Sequence, residues 1–413
     1  MKKKVLILSD HALSTSGVGT QTRHLVNGLL AKGGWTFRQF GAAVKHTDYR
    51  TVVVNEDFII KPIDGFGNRD LLRITLATEK PDLLLIFTDP RFFVWLFEME
   101  DEIHQICPVA WWHVWDNLPY PSFNAPLYEA TDLINCHSYA TYDMLKDKFP
   151  EKTNFIPHSI PPELFFPISN QERKNYKMQM LGNERADHFT GIWVNRNARR
   201  KRPSDVLESW KLFIDNLQKN HGHKKASLIM HTDPLDQEGP NLFAVADYLG
   251  IQQNVVFSKE RLAFDKMNIL YNISDFCINI SFAEGFGLST LEAMNAGIPI
   301  IAAKTGGMTR QVVDHRDGSH NGVALDIDIK TLVGSQGVPY IYEDYVKNEN
   351  VAQAIMKMYE LTDLEKAKLG KKVFDYARSE FGFNKTIDMW HESANSLISN
   401  WKKNRKTFSI EEM

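Results

Sequence analysis

Only three cysteines stand in the 413 residues, Cys107, Cys136 and Cys277, and no two have C-x-x-C spacing. That scarcity excludes a disulfide framework and a zinc ribbon, and it fits a reducing, cytoplasmic setting. An excess of one charge is missing too: 48 Lys and Arg against 51 Asp and Glu leave a net charge of -3. Bulk charge therefore gives no argument for nucleic acid, although a local basic patch stays compatible with it. Long hydrophobic runs are absent. Val5–Leu8, after three lysines, stops at Ser9-Asp10-His11, too soon for a signal peptide. Leu83–Phe97 is broken by Asp89, Pro90 and Arg91, so it cannot span a bilayer. This leaves room for a peripheral membrane contact but for no transmembrane segment. The balance of 43% hydrophobic and 24% charged residues is that of a globular protein. At ~100–200 residues per domain, the chain is two domains long.

Short apolar runs alternate with helix-like stretches. Val5–Leu8, Leu83–Phe87, Val109–Trp112 and Leu133–Cys136 in the first half are continuous rather than alternating, as strands buried on both faces are. Gly191–Val194, Ser227–Met230, Val255–Phe257, Phe276–Ile280 and Ile298–Ala302 repeat the theme in the second. Helical spacing falls between them, at Thr20–Ala31, Pro203–Asn216, Leu242–Leu249, Asp265–Asn272 and Ser289–Ala296. The alternation predicts an α/β chain of two Rossmann-like, doubly wound parallel sheets. Four prolines between Ile156 and Pro167 would break any helix or central strand. We place the domain boundary there, between residues 163 and 164. Ile387, Trp390, Ala394, Leu397 and Trp401 share a face of a terminal helix that must dock on something.

The densest chemical signal is Ser281 to Met294. Glu284, Gly285, Phe286 and Gly287 follow a strand, and Leu288 and Ser289 open a helix. Glycines let the backbone approach a ligand, and amides at a helix start offer a phosphate site. Glu284 sits at the carboxyl end of a strand, where open α/β sheets bind ligands. Glu292 follows within the first turns of the helix. Carboxylates accept hydrogen bonds from sugar hydroxyls. The plainer alternative is a solvated acid and a helix-start glutamate favoured by the dipole. A second cluster, Arg196 to Arg202, follows another strand, and five of its seven residues are basic. It is either a solvated charge run, a nucleic-acid patch, or a grip on a diphosphate. Asp326-Ile327-Asp328 is read as a surface turn rather than a metal-binding D-x-D. His221 and His223 are read as a loop pair.

Glu284 and Glu292 are separated by seven residues, and Arg196 precedes Lys201 by five; Gly297-Ile298-Pro299 and Thr305-Gly306-Gly307 follow. Together these resemble the GT-B-fold retaining glycosyltransferases of family 4, the glycosyl transferases group 1, over about residues 185–330. The resemblance implies two domains facing a cleft: residues 1–163 binding the acceptor, residues 164–383 binding the donor, and a final helix, 384–413, crossing back to the first. It makes Arg196 and Lys201 the grip on the donor diphosphate, Glu284 the acid on the donor sugar and Glu292 the acid on the ribose. Gly285, Phe286, Gly287, Leu288 and Ser289 would contact sugar and phosphate, and Val256 and Phe257 would pack the nucleobase. Asn195 stands where the family usually has Gly, and no Gly follows Lys201. Ser16-Gly17-Val18-Gly19 resembles the family's Gly-rich first loop, and is too long a turn with too few glycines for a dinucleotide fingerprint. His113, ending a strand, is the candidate that reaches the donor sugar from the first domain, although a lone histidine is otherwise a structural one. Trp115, Tyr120 and Phe123 form the candidate acceptor surface unless they only pack their loop.

The implied activity is metal-independent transfer of a sugar, with retention, from a nucleotide-diphosphate sugar to an acceptor hydroxyl. The nucleotide sugar is a substrate and no cofactor is needed. The acceptor class stays open among glycan, lipid-linked compound, small molecule and modified DNA. Two alternatives stand beside this: a sugar-nucleotide epimerase on the same fold, and a protein directed at nucleic acid through Arg196–Arg202 and the Lys402–Lys406 tail.

Overall fold

The computed structural model describes residues 2–404. Arg405 and Lys406 of the basic tail, and the rest of 405–413, lie outside the described residues. The chain forms two compact units. One holds the chain up to Ser159, the short stretch Gly334–Tyr340 and the chain from Asn384 on; the other holds Ile160–Val333 and Ile341–Phe383.

In the first unit the strands are β1 (Lys3–Asp10), β2 (Trp35–Ala42), β3 (Val52–Asn55), β4 (Phe58–Pro62), β5 (Leu83–Thr88), β6 (Val109–His113), β7 (Leu133–Cys136) and β8 (Thr153–Phe155). They lie in the order β3-β4-β2-β1-β5-β6-β7-β8. All pairs are parallel except the edge pair β3–β4. Chain order reverses between β1 and β5, so the loops after these strands flank a topological switch point. Leu6, Leu8, Ile86, Trp111 and Ile134 fill one face of the sheet. Neighbours Trp111 and Trp112 point to opposite faces: Trp111 stacks on Tyr128 at 5.3 Å, Trp112 on Phe87 at 4.0 Å.

The second unit contains β9 (Phe189–Val194), β10 (Ala226–His231), β11 (Val255–Ser258), β12 (Phe276–Asn279), β13 (Ile300–Ala303) and β14 (Gly322–Leu325), all parallel, in the order β11-β10-β9-β12-β13-β14. Its switch point lies between β9 and β12. An antiparallel hairpin follows, β15 (Ile329–Val333) and β16 (Ile341–Tyr345).

The expected boundary at 163/164 moves to Ser159/Ile160. Ile160 and Phe165 are buried in the second unit's core, and Arg378 holds the Phe165 carbonyl at 2.6 Å, so the proline-rich stretch from Ile160 on packs with that unit. The terminal helix, Phe383–Asn404, packs on the first unit, with Ile387, Trp390, Ala394 and Ile398 buried. Leu397 and Trp401 are only half-buried, because the stripe turns through Ile398 instead. Ile387 fills the space left by the absent side chain of Gly28, where a Cβ would lie 2.4 Å from its Cδ1. Trp390 meets Trp112 edge-on at 4.9 Å, and the Trp35 indole N–H donates to His391 at 3.1 Å.

Candidate active site

The loops after β9 and β12 emerge side by side at the second unit's switch point. The amide of Phe282 donates to the Arg200 carbonyl at 3.1 Å, which ties the two loops together. The Arg200 guanidinium returns the bond to the Ala283 carbonyl at 2.6 Å and lies 3.9 Å from Glu284. The Lys201 ammonium is hydrogen-bonded to Glu284, both side chains nearly buried, at 13% and 11% exposed. Lys201 and Glu284, 83 positions apart in the chain, are thus brought together by the fold. Arg196 is not part of this group. It forms a two-pronged pair with Asp236, at 2.7 and 3.0 Å, and stays 63% exposed.

The two glutamates have opposite surroundings. Burial pushes Glu284 up, but Lys201 and Arg200, with hydrogen bonds from Lys201 and Asn279, outweigh it and hold the carboxyl down to about 2. Glu292, in the helix Leu288–Asn295, accepts a hydrogen bond from Tyr271 at 2.7 Å. Burial pushes it up to about 7, and the tyrosine offsets only part of that. One acid is fixed as an anion, and the other sits at the edge of protonation at neutral pH.

Glycine shapes the floor of the site. Gly287 has φ +91°, and a Cβ there would lie 2.7 Å from the Thr290 hydroxyl. A Cβ on Gly307 would lie 2.5 Å from the Gly285 carbonyl and from the Phe286 Cα, so the Gly306–Gly307 turn seats directly against the loop. The loop's carbonyls are turned inward and satisfied: Gly307 N–H donates to Glu284 at 3.1 Å, the Gln311 amide to Phe286 at 2.7 Å, and the Thr290 hydroxyl to Gly287 at 2.7 Å. The amides of Leu288 and Ser289 then open the helix, and first-turn N–H groups have no partner within a helix. On the edge strand β11, Val256 and Phe257 are half-buried, and Phe257 meets Phe243 edge-on at 4.8 Å. Lys259 lies over the Phe243 ring at 4.5 Å. The sequence reading did not find Phe243, Tyr271 or Asp236. Each acts through a partner 14 to 40 residues away, and nothing local marks it.

Within the first unit, Ser16 caps the helix Gly17–Lys32, accepting from the Gly19 N–H at 2.9 Å and donating to Asp10 at 2.6 Å. The Gly19 amide is therefore taken, while Gly17 is exposed. His113 needs correction. It has no exposed surface, its Nε2 lies 2.9 Å from the Tyr128 hydroxyl, and its ring meets Trp111 edge-on at 4.5 Å. Burial, then neighbouring His137, pushes its pKa well below the ordinary value. It sits in the core as a neutral histidine, with none of its surface open to solvent. Trp115 is also core, at 7% exposed. Tyr120 and Phe123 stay half-buried at the surface, Tyr120 under Lys148 at 4.4 Å and Phe123 edge-on to Tyr340 at 5.2 Å. Asp326 pairs with Lys304, and Asp328 accepts from the Lys347 amide and Asn350, as side chains of a turn do. His221 and His223 pack on Tyr359.

Residues 182–333 match the family model of the glycosyl transferases group 1. A stretch of 79 residues is 37% identical to the D-inositol 3-phosphate glycosyltransferase of Mycobacterium sp. (strain KMS), covering 19% of this chain and 18% of that one. The matched stretch thus spans about a fifth of that relative's length. Likeness of fold covers the chain almost end to end. The sucrose-phosphate synthase of Thermosynechococcus elongatus superposes with a TM-score of 0.72 at 15% identity, over 97% of this chain and 100% of that one. Anabaena HepE in complex with UDP superposes with a TM-score of 0.69 at 17% identity, over 96% and 100%. Residues 182–333 are therefore a glycosyl transferases group 1 domain, carried in a chain of the GT-B fold.

Proposed function

We propose that this protein is a retaining glycosyltransferase that moves a sugar from a nucleotide-diphosphate sugar to an acceptor hydroxyl without a metal. The observation that carries the reading is the Lys201–Arg200–Glu284 group beside the start of the helix Leu288–Asn295. As the sugar leaves, its anomeric carbon gains positive character and the diphosphate gains negative charge, by analogy with glycoside hydrolysis. Lys201, Arg200 and the helix amides offset the growing negative charge. Glu284, held ionised, accepts from donor sugar hydroxyls. Glu292 faces the ribose, and Phe257 with Phe243 supports the base. Arg196 reaches the diphosphate by leaving Asp236; exposed ion pairs contribute ~0–1 kcal/mol, so the exchange costs little. The acceptor oxygen bonds to the anomeric carbon as the carbon–phosphate oxygen bond breaks, and its proton passes to the leaving diphosphate. HepE, solved with UDP, supports a nucleoside diphosphate as the donor's leaving group.

Tyr120 and Phe123 of the first unit are the proposed acceptor contacts. Nucleic acid as the partner is disfavoured by the basic run itself: Arg196, Arg199, Lys201 and Arg202 all pair with carboxylates, so the run is not an open cationic strip. The test is a panel of nucleotide sugars read by protection against thermal unfolding. Product analysis with and without acceptor, in excess EDTA, follows for the donor that protects. Transfer to a hydroxyl with the anomeric configuration kept is expected. An absolute metal requirement, inversion, or turnover to an epimer without acceptor would overturn the reading.

A further inference from the structure

The hairpin strand β16 lies beyond the family-matched residues 182–333, yet it touches three loops of the candidate site. From Glu343, two carboxylate oxygens meet the Arg199 guanidinium at 3.1 Å each, and the Tyr345 hydroxyl also donates to that carboxylate. From Asp344, the backbone N–H donates to the Phe282 carbonyl at 2.9 Å, and the carboxylate accepts the Thr305 hydroxyl at 2.7 Å. From Tyr345, the ring lies 5.5 Å from Phe282 and 5.2 Å beneath the Arg202 guanidinium. Arg202 in turn donates to the Val346 carbonyl at 3.1 Å. The loops so held are the basic run, the stretch before Glu284, and the Thr305–Gly307 turn.

This sorts the basic run into two sets. Arg199 and Arg202 are drawn onto β16, with Arg199 also laid over the Phe282 ring at 5.0 Å. Arg200 and Lys201 are left to the Ala283 carbonyl and Glu284. Four consecutive cationic side chains on one turn would otherwise compete for the same carboxylate. A guanidinium is the stronger competitor, because its fork matches a carboxylate with two parallel bonds. Holding Arg199 on Glu343, and Arg200 on the Ala283 carbonyl, keeps both forks from closing on Glu284 and leaves the compact ammonium of Lys201 as its hydrogen-bonded partner. Asp344 does the complementary task, fixing the Gly306–Gly307 turn against Gly285 and Phe286 through Thr305.

We infer that Glu343 and Asp344 are positioning residues of the donor site, acting on the ligand only through Arg199, Lys201 and Thr305. The inference rests on the donor-site reading above, and the test separates the two. UDP, ADP and GDP are titrated calorimetrically into the full-length wild-type chain and into the variants Glu343→Ala, Asp344→Ala, Asp344→Asn, Arg199→Ala and Glu343→Ala/Arg199→Ala, each first shown folded by its thermal transition.

The best wild-type nucleotide should bind Glu343→Ala and Asp344→Ala about tenfold or more weakly. Asp344→Asn, which keeps an oxygen for Thr305, should recover to within about twofold. Glu343→Ala should cost less in the Arg199→Ala background than alone, because no freed guanidinium is then present to compete. Unchanged affinity in both alanine variants would overturn the inference and leave the donor reading standing. So would an Asp344→Asn variant as weak as Asp344→Ala, or full additivity of Glu343→Ala and Arg199→Ala. Failure of all three nucleotides to bind the wild type would overturn the donor reading, and the inference with it.

Discussion

Glu284 and Glu292 show how far two identical side chains are driven apart by what surrounds them. Glu292 holds its proton to about 7, above the ordinary carboxyl value of 4.5. The stability this gives is present below the ordinary value and is lost as pH rises through 7, by an amount on the order of 3 kcal/mol. Glu292→Gln should therefore melt above wild type at pH 8 and with it at pH 4.5, while binding nucleoside diphosphate more weakly. A melting difference that ignores pH would contradict the assigned surroundings. Glu284 carries the opposite sign: held down to about 2, its contribution is present above the ordinary value and lost as pH falls toward 2. Glu284→Gln leaves Lys201 nearly buried without its counter-charge, at a cost of ~3–5 kcal/mol. The expected variant is less stable and nearly inactive, yet binds bare nucleotide once folded; chemical denaturation and calorimetry read the two parts separately. Arg196→Ala is the reverse case. Its pair with Asp236 is exposed, so the melting temperature should hold, while nucleoside diphosphate affinity falls several-fold. An Arg196→Ala enzyme with normal affinity and turnover would remove that residue from the diphosphate grip.

Among the elements, the terminal helix is the most sharply placed. Gly28 and Ile387 fit as hole and plug, so Gly28→Ala should cost ~1–3 kcal/mol by overpacking. Ile387→Ala in the same chain should restore part of the loss, and urea midpoints of the two singles and the double measure the coupling. The mostly apolar strands β5, β6, β7, β9 and β10 were legible from residue type alone, because strands covered on both faces concentrate apolar residues in short runs. β2 was not legible: Arg38 and Gln39 interrupt it, and its pairing with β1 across Lys3–Asp10 settles it. Nor was β16, whose Tyr342-Glu343-Asp344-Tyr345 has no apolar pattern and is fixed by the hairpin and the site loops. The same divide runs through the site. Lys201, Glu284 and Glu292 sit at spacings a sequence displays. Tyr271, Phe243 and Glu343 are set by folded neighbours. The burial of His113 was not legible because a strand end reads the same whether its last side chain faces solvent or core, and that of Trp115 because a loop aromatic carries no sign of which way it packs.

At the level of the whole molecule, the two units should answer pH differently. The first buries His24, held down to about 4 by burial and then Arg23, together with His113 and His158, pushed well below their ordinary value by burial. A histidine kept neutral when folded gives stability that is present above about 6.5 and lost as pH falls toward its folded value, on the order of 3 kcal/mol for His24. Between pH 6.5 and 4.5 the first unit should weaken more than the second, where Glu292 offsets His188 and His231, both lowered by burial. The separation of the two units' calorimetric transitions should therefore change between these pH values, and a single transition shifting as one would contradict this. The helix after Asn384 also has a consequence for how the chain is made. Domains commonly fold in the order they leave the ribosome, at ~5–20 residues per second. Here the first unit lacks its last helix until the whole second unit has been synthesised, a delay of roughly ten seconds to most of a minute. The later-made unit can finish first, while Trp35, Trp112 and the notch at Gly28 stay uncovered. A newborn chain is thus most open to aggregation, and most in need of a chaperone, at its oldest part.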